Sequence, residues 1–154
     1  MADPDLAELR AQEQRLVFDR FDNTTAWDLG QQMVLAARRR ELPVVVSIER
    51  NGQRLFHAAL PGTASDNDAW VDRKVRVVRR YGRSSYHVGC DFRAGGSTFE
   101  AKSRLDPDLY AAHGGSFPLT VRGVGVVGSV TVSGLPQAED HAFVVEQLES
   151  FLAQ

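Results

Sequence analysis

Lys74 is the residue whose type and surroundings most strongly suggest chemistry. At about 100° per residue, a helix predicted over residues 66–81 places its apolar side chains along one stripe, and Lys74 projects from the middle of that stripe. The stripe consists of Trp70, Val71, Val75, Val77, Val78 and Tyr81. A lysine in this position extends its ammonium to solvent, pairs with a carboxylate, or lies in a pocket that lowers its pKa. The first two outcomes are structural, and the third would give a ligand-binding or catalytic group.

Asp140 and His141 stand near the start of the last predicted helix. The helix face that carries His141 is otherwise apolar and consists of Val145, Leu148 and Leu152. Because a helix N-terminus disfavours a cation, we expect a neutral imidazole at this position. It serves either as a ligand-binding group or as a packed histidine bonded to backbone. Asp140 either binds a ligand or is simply a favourable acid in the first helical turn.

The segment from Ala111 to His141 concentrates glycines and polar residues. It is predicted to form a glycine turn, a strand, a glycine hairpin, a second strand, a short loop and a helix that opens with Pro136. A junction between a strand and a helix N-terminus suits anions and carbonyl groups. The segment therefore contains a candidate site, although it specifies no reaction.

Gly123, Gly125 and Gly128 spell the G-x-G-x-x-G pattern of dinucleotide-binding proteins. That motif has to open a helix, whereas the residues that follow here are β-branched and alternate as in a strand. These glycines are predicted to belong to a hairpin, and no dinucleotide site is expected.

The histidines and the lone cysteine give little support for a metal site. His87 and Cys90, with Asp91, are metal-ligand types on one predicted helix, but they fall short of a zinc signature, so no metal is predicted. His113 is expected at the end of a short helix, where the helix dipole favours its cation. His57 is expected to be a hydrogen-bonded histidine on a covered sheet face. The sequence also lacks a nucleophile elbow and a close carboxylate pair, so a hydrolase has no positive support.

An arginine-rich helix face raises the question of nucleic-acid binding. The face consists of Arg73, Arg76, Arg79, Arg80 and Arg83. Three aspartates precede these arginines, an order that suits the helix dipole, and no aromatic residues are interleaved with the charges. A solvated face is the favoured interpretation, and no nucleic-acid partner is predicted.

Length and composition indicate one folded domain spanning residues 1–154. The net charge of -2 gives no field that would attract nucleic acid or a membrane. A single cysteine, Cys90, excludes an intrachain disulfide, and no apolar run approaches the roughly 20 residues needed to span a bilayer. The first residues lack the basic and apolar regions of a signal peptide, so we expect a cytoplasmic protein without membrane association.

Hydrophobic patterning predicts a three-layer α/β fold with a central, mainly antiparallel, five-stranded sheet and helices on both faces. The five predicted strands are Arg15–Phe21, the two strands of a hairpin around Asn51-Gly52, Phe117–Arg122 and Val126–Ser133. A two-residue hairpin turn pairs Ile48 with Leu55 and Val46 with His57.

The remaining segments are predicted to be helices and loops. Helices are expected to about Gln14, from Asn23 or Thr24 to Arg40, from Asp66 to Tyr81 with Gly82 ending it, from Ser84 or Ser85 to Phe92, from Asp106 to Gly114, and from Pro136 to Leu152. The stretch Arg93–Ser103 is expected to be a polar loop.

Several short motifs together resemble the haem-degrading-domain family, which includes GlcG-like proteins and secreted haem-binding proteins. The motifs are Leu29-Gly30, Gly62-Thr63, Trp70 with Arg73-Lys74, Ser84-Ser85, Gly114–Pro118 (GGSFP), and Val132–Pro136 (VSGLP) with Asp140-His141. The resemblance spans roughly Leu9 to Leu152. It is greatest to a cytoplasmic branch of the family that is uncharacterised.

The resemblance implies a compact α/β/α domain that self-associates into ring-like or dimer-of-ring homo-oligomers. It also implies haem as a candidate cofactor, since some relatives bind or slowly degrade haem. We expect subunit boundaries to enclose a cleft for a small-molecule ligand. The predicted ligand-binding residues are Lys74, Ser84, Ser85, Gly114, Gly115, Ser133, Asp140 and His141. The leading hypothesis is an oligomeric small-ligand-binding protein that binds or weakly degrades haem. The alternative is a non-enzymatic assembly or interaction module that acts through its oligomeric surface.

Overall fold

The computed structural model describes residues 2–154, which form six helices and four strands. The helices are α1 (Leu6–Arg15), α2 (Asn23–Arg39), α3 (Ser65–Tyr81), α4 (Ser85–Ala94), α5 (Phe99–Ser103) and α6 (Gln137–Leu152). The strands are β1 (Val45–Arg50), β2 (Gln53–Ala59), β3 (Ser116–Val121) and β4 (Gly125–Ser133). None of the helices in this part of the chain is long and apolar enough to cross a membrane.

The strands form one antiparallel sheet in the order β2-β1-β4-β3, with helices on both faces, which confirms the predicted fold class. The prediction of a fifth strand over Arg15–Phe21 is wrong. Its only sheet contact is a bridge at Phe18, whose N–H donates to the Thr120 carbonyl at 2.8 Å and whose carbonyl accepts from the Arg122 N–H at 2.8 Å. α1 continues through Arg15, the first residue of the predicted strand, and of the six residues between Arg15 and Asp22 only Phe18 pairs with the sheet.

The two faces of the sheet differ in polarity. The face that packs against α2 and α6 is apolar and consists of Val46, Ile48, Phe117, Leu119, Val130 and Val132. Since side chains alternate along a strand, the residues between these point toward α3, and most are small and polar. The buried ones are Val45, Ser47, Ser116, Pro118, Ser129, Thr131 and Ser133. The α3 side of the sheet therefore offers hydroxyl and backbone partners to a polar group on that helix.

The β1–β2 hairpin has the predicted turn but a different register. Ile48 is opposite Phe56 and not Leu55, and Val46 is opposite Ala58 and not His57. A register shift between Ile48 and Glu49 leaves Leu55 as an extra residue in β2, as in a β-bulge. Every pair beyond the bulge is thereby displaced by one residue relative to the simple two-residue hairpin.

The segment between α4 and β3 also differs from expectation. Within the predicted loop, Thr98 accepts a hydrogen bond from the Ala101 N–H at 3.2 Å and begins the short helix α5. The helix expected after Asp106 is absent from this described segment, because the Asp106 carboxylate accepts from the Asp108 N–H at 2.8 Å in a tight turn. Phe99 at the start of α5 is buried against Val77 and Val88, so tertiary packing favours a helix there.

Candidate functional site

Lys74 joins α3 to the start of α6 through a buried ion pair. Its Nζ lies 3.1 Å from Asp140 Oδ2 and donates a second hydrogen bond to the Val132 carbonyl at 3.2 Å. Lys74 and Asp140 are 3% and 1% exposed, so neither charge is solvated by bulk water. Of the three outcomes open to this lysine, the structure has the carboxylate pair, and that pair lines a cavity.

Burial favours the uncharged form of both Lys74 and Asp140. It lowers the pKa of Lys74 and raises the pKa of Asp140, while the attraction between the two groups opposes both shifts. The Leu135 N–H donates to Asp140 Oδ1 at 3.0 Å and favours the carboxylate. A pair 3 Å apart gains about 5 kcal/mol at an effective dielectric constant of 20, which is comparable to its desolvation cost. Burial and the attraction within the pair therefore act in opposite directions on the protonation states of both groups.

Gly115 makes room for the ammonium group. Its φ of +136° is strained for any residue with a side chain, and a Cβ on it would lie 2.7 Å from Lys74 Nζ and closer still to the Val132 carbonyl. Neighbouring Gly114 donates its N–H to Gln137 Oε1 at 3.1 Å, and a Cβ there would overlap the Gln137 carbonyl. The two glycines thus bring the start of β3 against both Lys74 and the start of α6.

The ion pair lines a cavity of about 240 Å³ between α3 and the β4–α6 loop. Its lining residues are Asn67, Trp70, Lys74, His113, Ser133, Gly134, Leu135, Gln137 and Asp140. Trp70 and His113 meet edge to face with ring centroids 5.1 Å apart and form its aromatic part. The cavity is otherwise mostly polar, which suits a small ligand with several oxygen or nitrogen atoms.

His113 has a different electrostatic setting from the one predicted. Because the helix expected before it does not form, no helix C-terminus favours its cation. Burial lowers the pKa of His113 instead, and Lys74 and Arg73 add to this effect. The imidazole that lines the cavity is therefore mainly neutral near pH 7.

Three of the predicted site residues lie away from this cavity. Ser84 is the N-cap of α4 and accepts from the His87 N–H at 3.0 Å, as the capping prediction allowed. Ser85 Oγ accepts from the Ser116 N–H at 3.1 Å and fastens α4 to β3. Both serines are fully buried, so their contacts are internal to the fold.

His141 is the third predicted site residue that lies away from the cavity. It belongs to a separate group of side chains, which we call the histidine cluster and which consists of Gln12, Glu13, Tyr86, His87 and His141. His141 Nε2 lies 2.8 Å from Gln12 Oε1, and His87 Nδ1 lies 2.9 Å from Glu13 Oε1. Burial lowers the pKa of His141 to about 4, with a further contribution from His87. The neutral imidazole was predicted correctly, but its neighbours are α1 and α4.

Sequence reasoning did not identify Asn67, His113 and Gln137 as part of the cavity. Asn67 had a usable signal, because it precedes Lys74 by seven residues and lies on the same side of α3. His113 and Gln137 lie within the Ala111–His141 segment that is predicted to contain a site, but neither has a signal of its own, because each reaches the cavity through the path of a loop or a strand–helix junction.

Comparisons with known proteins agree with this fold. Residues 21–149 match the family described as haem degrading protein HbpS-like. A UPF0303 protein of Streptomyces coelicolor is 67% identical over 151 residues, covering 98% of this chain and 96% of that protein. The crystal structure of the Ybr137w protein superposes with a TM-score of 0.90 at 35% identity, covering 99% of this chain and 90% of that one.

A more distant structure shares the fold alone. The PduOC:heme complex has a TM-score of 0.68 at 20% identity, covering 88% of this chain and 95% of that one. The family match spans most of the sequence, and the Streptomyces protein and Ybr137w are similar across nearly its whole length. The chain therefore belongs to the HbpS-like haem-degrading protein family.

Proposed function

We propose that the chain binds a small ligand in the cavity formed by Lys74, Asp140, Ser133 and the aromatic pair Trp70 and His113. The observation that carries this proposal is the buried ion pair that opens onto the cavity. Two well-packed apolar side chains of similar volume would stabilise the fold as well as a buried ion pair or better, so stability alone does not account for the pair. The cavity beside the ion pair allows its charged groups to bind a ligand as well.

The chemistry of the lining favours a ligand with hydrogen-bond-accepting oxygen atoms. An ammonium group has three N–H donors, and Lys74 uses two of them on Asp140 and Val132. The third remains for a ligand. Asn67 and Gln137 add amide groups to the lining. A cavity of about 240 Å³ lies below the roughly 300–1,000 Å³ of drug-sized sites, so we expect a compact molecule.

A thermal-shift screen of small carboxylates, carbonyl compounds and polyols tests this proposal, since a ligand that binds only the folded state raises Tm by mass action. We expect compounds that stabilise the wild type and lose this effect in the double variant Lys74→Met/Asp140→Asn. His141→Gln is the matched control, because His141 is buried but lies outside the cavity lining. Equal stabilisation of all three proteins would contradict binding at this cavity.

Haem is the second candidate ligand, and family membership together with the neutral imidazole of His113 supports it. When bound, haem would supply an iron centre for ligand or oxygen chemistry. The cavity of one chain is large enough for a propionate arm but not for the macrocycle, so the described residues do not enclose a porphyrin. A surface from a second copy of the chain would have to cover the rest.

Hemin titration tests this second candidate. Haem binding predicts a saturable Soret shift that weakens in His113→Ala and persists in His57→Ala, a histidine on β2 that is not part of the cavity lining. A flat or non-saturable titration of the wild type would remove haem as a ligand.

We also propose that the chain forms a homo-oligomer. The outer edge of β2 has no strand partner among the described residues, and Trp27 on α2, which packs against Phe56 of β2, is 55% exposed. Exposed strand edges and aromatic side chains favour association with another chain. Size-exclusion chromatography with light scattering should give a species larger than 17.0 kDa at micromolar concentration. A monomer would contradict both self-association and the assembly-module alternative.

A further inference from the structure

We propose that Lys74 is a reactive amine that forms an imine with a small carbonyl compound in the cavity, with Asp140 as its proton acceptor and donor. This inference rests on the proposed ligand site and specifies what the ligand does there. The carbonyl compound is a small aldehyde or ketone that fits within about 240 Å³.

The choice of residue type at position 74 supports this chemistry. The chain contains 18 Lys and Arg residues, and only Lys74 and Lys102 are lysines. Among residues 2–154, Lys74 is the only lysine or arginine whose side chain is buried. Arginine gives stronger bidentate pairs with carboxylates, but it cannot lose its proton in a protein. The buried position therefore carries a lysine, which can lose its proton and become a nucleophile, and not an arginine, which cannot.

The contacts of Lys74 also suit an amine that exchanges its proton. Asp140 Oδ2 is 3.1 Å from Nζ, and burial moves the pKa values of both groups toward the neutral pair of amine and carboxylic acid. The Val132 carbonyl, at 3.2 Å, accepts a second N–H and fixes the direction of the side chain. Gly115 leaves open the space in which a Cβ would contact Nζ at 2.7 Å.

The reaction balances without any external oxidant or reductant. The proton of Lys74 passes to Asp140, and the Nζ lone pair attacks the carbonyl carbon. After proton transfer from nitrogen to oxygen the adduct is a neutral carbinolamine. Protonated Asp140 then gives its proton to the hydroxyl group, which leaves as water. The products are a protonated imine on Lys74, the Asp140 carboxylate that pairs with it, and one water molecule.

Reductive trapping tests the inference on the full-length wild-type chain. The protein is incubated near pH 7 with limiting pyruvate or propanal and sodium cyanoborohydride, and modified peptides are identified by mass spectrometry. Lys102 is an internal control because it is exposed to solvent. Because burial lowers the pKa of Lys74, its free-amine fraction at pH 7 is increased, so we expect more adduct at Lys74 than at Lys102.

The variants separate the imine from simple binding. Lys74→Arg keeps the positive charge and should give no adduct at position 74, Asp140→Asn should slow trapping, and Lys102→Arg should leave trapping at Lys74 unchanged. Adduct confined to Lys102, or equal at both lysines of the wild type, would overturn the inference whether or not the variants fold. Stabilisation of the wild type by these compounds without an adduct at Lys74 would leave the ligand site in force and remove only the imine.

Discussion

Asp140 and His141 are neighbours in α6, yet they belong to two regions with opposite character. Asp140 points toward α3, pairs with Lys74 and lines a mostly polar cavity. His141 points toward α1 and α4, where Gln12 bonds its Nε2 and the Tyr86 ring lies 5.0 Å away. Both side chains are buried, and burial shifts the pKa of each. Burial and a shifted pKa alone therefore do not distinguish a site from a structural contact.

The difference lies in the donors left for a ligand. Lys74 keeps one N–H after bonding Asp140 and Val132, and it lines the cavity. The groove of about 410 Å³ beside His141 has a mainly apolar lining. The Nε2 of that histidine donates to Gln12, which leaves Nδ1 as an acceptor without a partner among the described residues and no N–H donor for a ligand. We therefore propose ligand binding on the Lys74 side and a structural role for the histidine cluster, which connects α1 to α4 and α6.

The largest expected effect comes from breaking the ion pair. Asp140→Ala leaves the buried Lys74 ammonium without its carboxylate, and we expect the free energy of unfolding to fall by about 3–5 kcal/mol. Urea unfolding measures this loss. Adding Lys74→Met to the same chain should recover part of it, because no buried charge then remains. A loss below about 1 kcal/mol in the single variant would contradict a Lys74 that stays charged and buried without its partner.

The second largest expected effect is a loss of unfolding free energy at acid pH, which arises from His141 in the histidine cluster. The pKa of His141 falls from its usual 6.5 to about 4 on folding. Between these values the unfolded chain binds a proton and the folded chain does not, so stability is lost as pH drops from 6.5 to 4. The loss amounts to about 3 kcal/mol.

Unfolding at pH 7 and pH 4.5, compared between wild type and His141→Gln, measures this contribution. The comparison is needed because carboxylates titrate in the same range. We expect a smaller loss of stability in the variant. The same pH dependence in both proteins would contradict a neutral buried imidazole.

A methyl group at Gly115 should have a smaller effect on the Lys74 side. Gly115→Ala combines a φ of +136° with contacts to Lys74 Nζ and the Val132 carbonyl, so we expect a loss of about 1–3 kcal/mol. Gly125→Ala is the matched control, since Gly125 has a φ of +115° and nothing within 4 Å of the position that an added methyl group would occupy. If both variants lose equal stability, backbone strain alone accounts for the effect, and the close approach to Lys74 does not matter.

The smallest expected effect concerns Ser84, which the sequence placed among the ligand-binding residues. Ser84→Ala removes the cap of α4 and should cost about 1 kcal/mol in thermal or urea unfolding. Because the hydroxyl bonds within the fold, ligand-induced stabilisation should stay the same. A variant that folds normally but is no longer stabilised by cavity ligands would show that Ser84 contributes to ligand binding.

The sequence predicted those parts of the fold in which local signals and tertiary packing agree. The apolar stripe of α3 and its end at Gly82 are confirmed, and Gly82 adopts the left-handed conformation with a φ of 68°. The extra residue Leu55 in β2 and the helix at Phe99 could not be anticipated, because each depends on packing against distant elements.

The candidate site was predictable only in part. The anomaly of Lys74 and the position of Asp140 in a first helical turn are visible in the sequence, and the structure brings them together. Which side of α6 His141 faces depends on where α1 docks, a long-range contact without a local signal. Ser84 and Ser85 were assigned to the site from motifs alone, and their hydroxyls instead satisfy buried backbone groups.

Isothermal titration calorimetry tests the central claim most directly, namely that the Lys74–Asp140 cavity is the ligand site. The best compound from the thermal-shift screen is titrated into wild type, Lys74→Met/Asp140→Asn and His141→Gln. Losing a hydrogen bond from a charged group costs about 1.5–3 kcal/mol, so Kd should rise roughly 10- to 150-fold in the double variant. His141→Gln should keep the wild-type Kd. An unchanged Kd in the double variant, or a loss confined to His141→Gln, would contradict the account.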